Sequence, residues 1–232
     1  MGRSQLLKDA VSGKENIESI LLRLKVILSE LLSELDNENI INWVNGELQG
    51  YKDKENIPSY RILQGNITGT YFVNTTVKYT DAPVPLEILI SKESIAEIRT
   101  EKITDGITAI QNILQGENKG NLAFVVPTAY CHAISKDDLQ IAGMRVNISS
   151  NQLDGIISCV KSKLVEVIME LEKEFKNLDE LDIRNQIEKI ESVNQVIYNI
   201  ENIIYDESIK VGDKNKINKS MFGHFWGRGD KK

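Results

Sequence analysis

The stretch NWVNGELQGYKDKENIPSYR (residues 42–61) decides the fold, because it carries the signals that end a helix and begin a sheet. Gly50 follows the last apolar residue of a helical pattern and is predicted to end that helix in the left-handed conformation. Tyr51 is predicted to fold back onto the final turn, as a hydrophobic residue beyond a helix end often does. Pro58 disfavours helix at Ile57 and begins an extended segment. These residues predict a junction between a helix and a sheet.

Two amphipathic helices are predicted at the N-terminal end of the chain. From residue 16 to residue 35, apolar residues recur every three or four positions, at Ile17, Ile20, Leu21, Leu24, Leu28, Leu31, Leu32 and Leu35. The second helix is predicted to begin at a cap, Asp36 or Asn37, and its apolar face holds Ile40, Ile41, Val44 and Leu48. Trp43 is predicted to anchor this helix pair, since burying an apolar side chain stabilises a fold by about 1.5–3 kcal/mol.

Short antiparallel strands are predicted after the junction, because β-branched and aromatic residues alternate with turn residues. The strand candidates are YRILQG (60–65), ITGTYFVNTTVKYT (67–80) and PVPLEILI (83–90). Residues 91–116 are predicted to be mostly helical. NLAFVVP (121–127) is predicted to be a buried strand, and DLQIAGMRVNIS (138–149) a strand or an irregular approach to the next helix.

Two long amphipathic helices are predicted in the C-terminal half. Ser149 and Gln152 form a capping-box pattern before a helix whose apolar face runs from Leu153 to Phe175. A last helix carries Ile183, Ile187, Ile190, Val193, Ile197, Ile200 and Ile204. Its spacing resembles a coiled-coil seam, and packing onto the same chain is favoured slightly over self-association. The fold class is therefore α+β, with an N-terminal helix pair, a small antiparallel or mixed sheet and these long helices.

Three regions are predicted along the chain: a globular domain (4–177), an amphipathic helix (182–205) and a tail (206–232). The tail is basic and rich in glycine and aromatic residues, whereas the whole chain carries a net charge of −6. Its side chains predicted to dock on a partner are Phe222, Phe225, Trp226 and Arg228. Docking on protein is favoured over stacking on nucleic-acid bases or insertion into lipid.

The composition of the chain disfavours a nucleic-acid-binding protein and a membrane-spanning protein. The acidic net charge disfavours a nucleic-acid partner, because contacts with phosphate need a positively charged surface. No uninterrupted apolar run reaches the ~18 residues of a membrane span, and residues 1–10 lack an apolar signal core. A cytoplasmic protein is expected.

No catalytic, cofactor-binding or metal-binding residues are predicted. The sequence contains no P-loop, dinucleotide fingerprint, HExxH or GxSxG motif. Cys131 and His132 are adjacent, and neighbouring residues on a strand point to opposite faces, so a catalytic pair of the two is disfavoured. The acidic series Glu30, Glu34, Glu38 and Glu166, Glu170, Glu174 are interpreted as solvated helix surfaces. A non-enzymatic protein that needs no cofactor is expected.

The junction also carries a family resemblance. It follows the pattern W-x-x-x-E-L-x-G-Y and then P-x-Y-R, at Trp43, Glu47, Leu48, Gly50, Tyr51, Pro58, Tyr60 and Arg61. A second block is the serine-capped helix ISSNQLDGIISCVKSKLVEVIMELEKEF (148–175). Over roughly residues 4–177 the chain resembles the AbiTii domain. The resemblance implies a bacterial protein connected with abortive infection, a form of phage defence, and implies no particular reaction.

Two interpretations of the junction residues stay open. In the first, Glu47 and Arg61 pair to fix the helix end against the first strand. In the second, a recognition surface is formed by Trp43, Glu47, Tyr51, Tyr60 and Arg61. The function favoured is a non-enzymatic interaction or regulatory module with a protein partner from a defence system. The alternatives are a toxic effector enzyme, such as a metal-dependent nuclease, and a structural protein that forms homo-oligomers through the Ile183–Ile204 seam.

Overall fold

A computed structural model describes residues 3–13, 15–32, 38–116, 122–181, 183–187 and 193–205. Within them the α-helices are α1 (Gln5–Ser12), α2 (Ile17–Leu31), α3 (Asn39–Gln49), α4 (Lys92–Arg99), α5 (Ile107–Gln115), α6 (Thr128–Ile134), α7 (Ser150–Glu174), α8 (Arg184–Ile187) and α9 (Val193–Tyr205). The strands are β1 (Ile62–Gln64), β2 (Asn66–Val73), β3 (Val77–Pro83), β4 (Thr100–Lys102), β5 (Leu122–Val125) and β6 (Leu139–Ile148). This arrangement confirms the α+β class.

The N-terminal helix pair is confirmed. The side chain of Asn16 accepts from the backbone N–H of Glu18 and caps α2, whose apolar stripe is buried. Trp43 of α3 is fully buried in the same core, as its predicted anchoring role requires. The predicted caps, Asp36 and Asn37, lie outside the described residues.

The described strands form two small sheets in which every pairing is antiparallel. One has the order β3–β2–β6–β5, and the other pairs β1 with β4. Asn74 and Thr75 adopt positive φ in the turn between β2 and β3, a conformation that asparagine tolerates in tight hairpins. The prediction of a small antiparallel or mixed sheet is therefore confirmed, and among the described residues the sheet is antiparallel.

Two strand predictions need correction, and the segment predicted to be mostly helical is confirmed with a short strand inside it. PVPLEILI ends β3 at Pro83 and then forms a short 3₁₀ turn, Leu86–Ile88, since proline cannot donate to a ladder. Residues 91–116 form two helices separated by β4. NLAFVVP forms β5, which lies at the edge of its sheet with Val125 81% exposed, whereas β6 lies between two partners.

The C-terminal helices pack onto the same chain. The predicted capping box of Ser149 and Gln152 begins α7. In α9, the predicted seam residues Ile197, Ile200 and Ile204 are buried in the core that α7 shares. This agrees with the prediction that the seam packs onto the same chain. Another predicted seam residue, Ile190, lies outside the described residues.

Two side-chain environments differ from their prediction. Cys131 and His132 lie on α6 and not on a strand, with Cys131 buried and His132 exposed. Glu170 of α7 is only 7% exposed. Its carboxylate contacts Lys173 and accepts from Asn199 Nδ2 of α9 at 2.7 Å, so it joins two helices and is not part of a solvated surface.

The buried apolar residues of the helices and the four-stranded sheet form one continuous cluster. None of the helices in the described ranges combines the length and the apolar character that a bilayer crossing requires.

Candidate functional site

The site begins where α3 ends. Gly50 has φ 93° and ψ 154°, so the positive φ is as predicted, but the backbone is extended and not left-handed helical. The next N–H, of Tyr51, donates to the carbonyl oxygen of Thr104 at 2.7 Å. A Cβ on Gly50 would lie 2.8 Å from that oxygen. Both the φ and the close approach therefore require glycine here.

The ring of Tyr51 folds back onto α3, as predicted. It lies against Gly46, where an added Cβ would come within 2.3 Å of Tyr51 Cε1. The hydroxyl donates to Glu47 Oε1 at 2.7 Å. The glycine therefore lets the ring reach a carboxylate on the same helix.

Glu47 and Arg61 form the predicted ion pair, and both side chains are 0% exposed. Arg61 donates from Nη2 to Oε2 at 2.6 Å and from Nε to Oε1 at 3.0 Å. This two-pronged geometry suits guanidinium and carboxylate. The remaining nitrogen, Nη1, donates to the carbonyl oxygens of Ile103 and Asp105 at 3.1 Å and 2.7 Å. The pair thus fastens α3 to two separate segments of the chain.

Tyr60 completes the buried cluster. Its hydroxyl donates to Glu47 Oε1 at 2.6 Å and accepts from Trp43 Nε1 at 2.9 Å. Tyr60 lies in a 3₁₀ turn, Ser59–Arg61, and β1 begins only at Ile62. The extended segment predicted from Pro58 therefore starts later, because this turn first aims Tyr60 and Arg61 at Glu47.

The five residues of the predicted recognition surface are brought together, but mostly inside the protein. Trp43, Glu47 and Arg61 have no exposed area, so in this arrangement they cannot touch a partner directly. A buried ion pair is stable only when its remaining donors and acceptors are also hydrogen-bonded. For Arg61, the two carbonyl oxygens that do this belong to a loop about forty residues later in the sequence. Tyr51 and Tyr60 are partly exposed, and a recognition role for them stays a prediction. We call the five residues the buried cluster.

Burial and charge shift the ionisation of the cluster. Burial, followed by the nearby charge of Glu47, raises the pKa of Tyr51 far above its usual range. The same causes, in the same order, raise the pKa of Tyr60. Burial alone would lower the pKa of Arg61, but its bonds to Glu47 outweigh burial and raise it. The tyrosines are therefore neutral hydrogen-bond donors and the arginine is a fixed cation.

We expect these raised tyrosine pKa values to make the protein unstable in alkali. In the unfolded chain a tyrosine loses its proton near pH 10, whereas Tyr51 and Tyr60 keep theirs in the fold. Stability is thus fully present below about pH 10 and falls above it, by about 1.4 kcal/mol per pH unit for each group. Urea denaturation between pH 8 and pH 11 measures this slope.

Tyr51→Phe should flatten the alkaline slope, because one of the three described tyrosines with a raised pKa, Tyr51, Tyr60 and Tyr205, no longer titrates. Tyr198→Phe is the matched control, since Tyr198 is 59% exposed and should leave the slope unchanged. Equal slopes for the two variants would contradict the raised pKa of Tyr51.

A groove of about 870 Å³ runs beside the buried cluster and is lined by Tyr51, Gly46 and one side of α3. Three carboxamides on this side, Asn42, Asn45 and Gln49, make no side-chain hydrogen bond with any described residue. Oδ1 of Asn45 is buried as well as unpaired. We call these three residues the carboxamide strip.

Other segments also line the groove. Tyr205 of α9 is one of the lining residues, and its hydroxyl donates to the carbonyl oxygen of Asn39 at 2.9 Å. The rim includes Lys25, Lys52 and Glu55. None of these three side chains forms an ion pair within the described part of the chain.

The carboxamide strip was missed from the sequence. Polar residues on one side of an amphipathic helix are ordinarily interpreted as solvated, and only the tertiary placement of Tyr205 and the 52–57 turn makes a groove of them. Among the described residues, no group of three or more His, Cys, Asp or Glu is placed to hold a metal ion. The predicted docking residues of the tail, Phe222, Phe225, Trp226 and Arg228, lie outside the described residues.

Comparison with known protein families gives a match over most of the chain. The family model AbiTii matches residues 4–213, which include the buried cluster, the carboxamide strip and α9. No curated protein and no solved structure matches the chain.

Proposed function

This chain belongs to the AbiTii family, and from that premise we propose that it serves abortive infection as a non-enzymatic recognition module. Membership of the family connects the chain with phage defence. The finer statement, that the chain binds a ligand or partner and regulates the response, is our proposal. We place this action in the cytoplasm.

The carboxamide strip is the observation that carries the proposal. The side chains of Asn42, Asn45 and Gln49 line an open groove, and none of them is bonded to a described residue. Carboxamides both donate and accept hydrogen bonds, so this wall of the groove offers unused polar groups to a bound molecule.

The buried cluster supports binding and not catalysis. Both oxygens of Glu47 are occupied, Oε1 by three donors and Oε2 by one. A carboxylate bonded in this way is not free to take a proton from a substrate. Its neighbours instead hold Tyr51 and the end of α3 rigidly, which keeps the carboxamide strip in a fixed geometry.

We expect Asn42→Ala/Asn45→Ala to abolish most of the protection against phage while leaving the Tm nearly unchanged. Loss of two hydrogen-bonding groups should weaken binding at least about tenfold, the equivalent of ~1.4 kcal/mol. Efficiency of plating, on cells that express the chain with its native neighbouring genes, measures protection.

The matched control is Asn112→Ala/Gln115→Ala. These two exposed carboxamides have the same i, i+3 spacing on α5, and they do not line the groove. The control should protect as the unaltered chain does. Equal protection by both double variants would remove the groove from the proposed function.

A protein partner from the defence system is part of the proposal. Phe222, Phe225, Trp226 and Arg228 are the side chains proposed to dock on it, since aromatic and arginine residues are frequent anchors at interfaces. The groove and the tail are then separate elements, one that receives a signal and one that passes it on.

A further inference from the structure

We infer that two copies of the chain form a dimer with two-fold symmetry, in which strand β5 of one copy pairs antiparallel with β5 of the other. The pairing joins two four-stranded sheets into one sheet of eight strands. The surface lies outside the groove, and the inference goes beyond the recognition function proposed above.

Strand β5 presents open backbone groups at the edge of its sheet. The bonding between β5 and β6 continues to Val126, whose N–H donates to the carbonyl oxygen of Met144 at 3.0 Å. Bonded and non-bonded positions alternate along an antiparallel pair. Phe124 therefore also bonds to β6, whereas Ala123 and Val125 direct their N–H and C=O groups away from it. No other described strand pairs with β5, so these four groups face outward from the sheet.

The two edges of the four-stranded sheet differ in their protection against pairing. At the opposite edge, β3 carries the charged residues Lys78 and Asp81 and ends at Pro83. The φ of Asp81 is 54°, which interrupts the extended backbone. Charges, irregular backbone and proline are features by which edge strands avoid pairing. Strand β5 has the sequence LAFV, without charge or proline, and Val125 is 81% exposed. It is therefore the edge that accepts a strand.

A second copy of β5 fits this edge in one register. A two-fold axis at Phe124 places Ala123 of each copy opposite Val125 of the other, so that all the outward groups are bonded. On the solvent face, the small alanine side chain leaves room for the exposed valine opposite it. On the core face, where Phe124 packs, the two rings form a cross-strand aromatic pair, which stabilises antiparallel strands. The strand supplies its own complement, which favours a second copy over an unrelated peptide.

The charges near this edge are compatible with self-pairing. Arg145 lies opposite Val125 on β6 and forms an ion pair with Asp81. In the proposed register, the residue of the second copy on the same row as Arg145 is Asn147, because Asn147 lies opposite Ala123. The two arginines are therefore on different rows of the joined sheet, and no like charges lie directly opposite each other there.

Sedimentation velocity of the full chain between about 1 and 100 μM tests the inference. A four-residue edge makes an interface at the small end of the usual range, so we expect a monomer–dimer equilibrium that shifts to dimer as the concentration rises. Val125→Lys should weaken dimerisation at least about tenfold, because a charged side chain on an edge strand opposes pairing. A chain that stays monomeric over this range overturns the inference and leaves the edge to a strand of another protein.

Val77→Lys is the matched control. Val77 is 49% exposed and lies on β3, the opposite edge of the same sheet, so this variant should dimerise as the unaltered chain does. Circular dichroism should show that both lysine variants are folded, since both valines are exposed. Dimerisation that both variants leave unchanged, or weaken equally, does not use β5 specifically and would also overturn the inference.

Cysteine cross-linking tests the register. Ala123→Cys mixed with Val125→Cys should give a disulfide-linked dimer on oxidation, because the paired Cα atoms would lie about 5.5 Å apart, within the reach of a disulfide. Either variant alone should cross-link far less, since its two thiols are offset by about 7 Å along the strands. The unaltered chain gives the background from Cys131 and Cys159. Equal cross-linking by the mixture and by each variant alone would overturn the axis at Phe124.

Discussion

Replacing Arg61 with methionine is expected to lower the free energy of unfolding by about 3–5 kcal/mol, the usual cost of removing one partner of a buried ion pair. The reason lies in Glu47, which has no exposed area. Without the guanidinium it must keep a charge away from water or take up a proton, and both are costly. The carbonyl oxygens of Ile103 and Asp105 lose their donor as well. Equilibrium denaturation with urea at pH 7 measures the change.

Two further variants make this result specific. Arg145→Met breaks a pair with Asp81 in which both side chains are largely exposed, and it should change stability little. Glu47→Gln/Arg61→Met removes both buried charges but keeps an acceptor for Tyr51 and Tyr60. It should be more stable than Arg61→Met alone. If Arg61→Met costs no more than Arg145→Met, the buried pair does not hold the junction together.

Gly46→Ala is expected to destabilise the protein by about 1–3 kcal/mol, the range for overfilling a packed site. In an exposed helix interior the same change stabilises by about 1 kcal/mol, so the sign of the effect is the test. The added methyl group would overlap the ring of Tyr51 at 2.3 Å. Because the hydroxyl of that ring is bonded to Glu47 and its face contacts the guanidinium of Arg61, the ring has little freedom to move. Thermal and urea denaturation both report the change.

Gly155→Ala supplies the comparison. Gly155 lies within α7, and a Cβ added there meets no atom within 4 Å. This variant should gain about 0.5–1 kcal/mol. If both alanine variants gained stability by similar amounts, the packing of Tyr51 on Gly46 would be refuted.

Local signals in the sequence predict those elements that depend on nearby residues. The long apolar stripes of α2 and α7 and the Ser149 capping box need no tertiary information. The pairing of Glu47 with Arg61 could be expected because the chain turns back after the helix end at Gly50, and the two residues are only 14 positions apart.

Other features depend on contacts between distant segments and could not be predicted. β4 is three residues long and is extended because it pairs with β1, while α6 is a short helix in the segment between two predicted strands. The burial of Glu170 depends on Asn199 of α9. The groove requires α2, α3, the 52–57 turn and α9 together, so its carboxamides are indistinguishable from solvated residues in the sequence alone.

The packing of α9 sets the length of any recombinant fragment made for crystallisation. A fragment ending near residue 177 would correspond to the globular region predicted from the sequence. It would lack the bonds from Lys163 Nζ to the carbonyl oxygen of Ile203, at 2.6 Å, and from Asn199 to Glu170. It would also uncover the apolar side chains that Ile197 and Ile200 cover. Such a fragment should precipitate or remain bound to chaperones, so the shortest useful expression product extends through Tyr205.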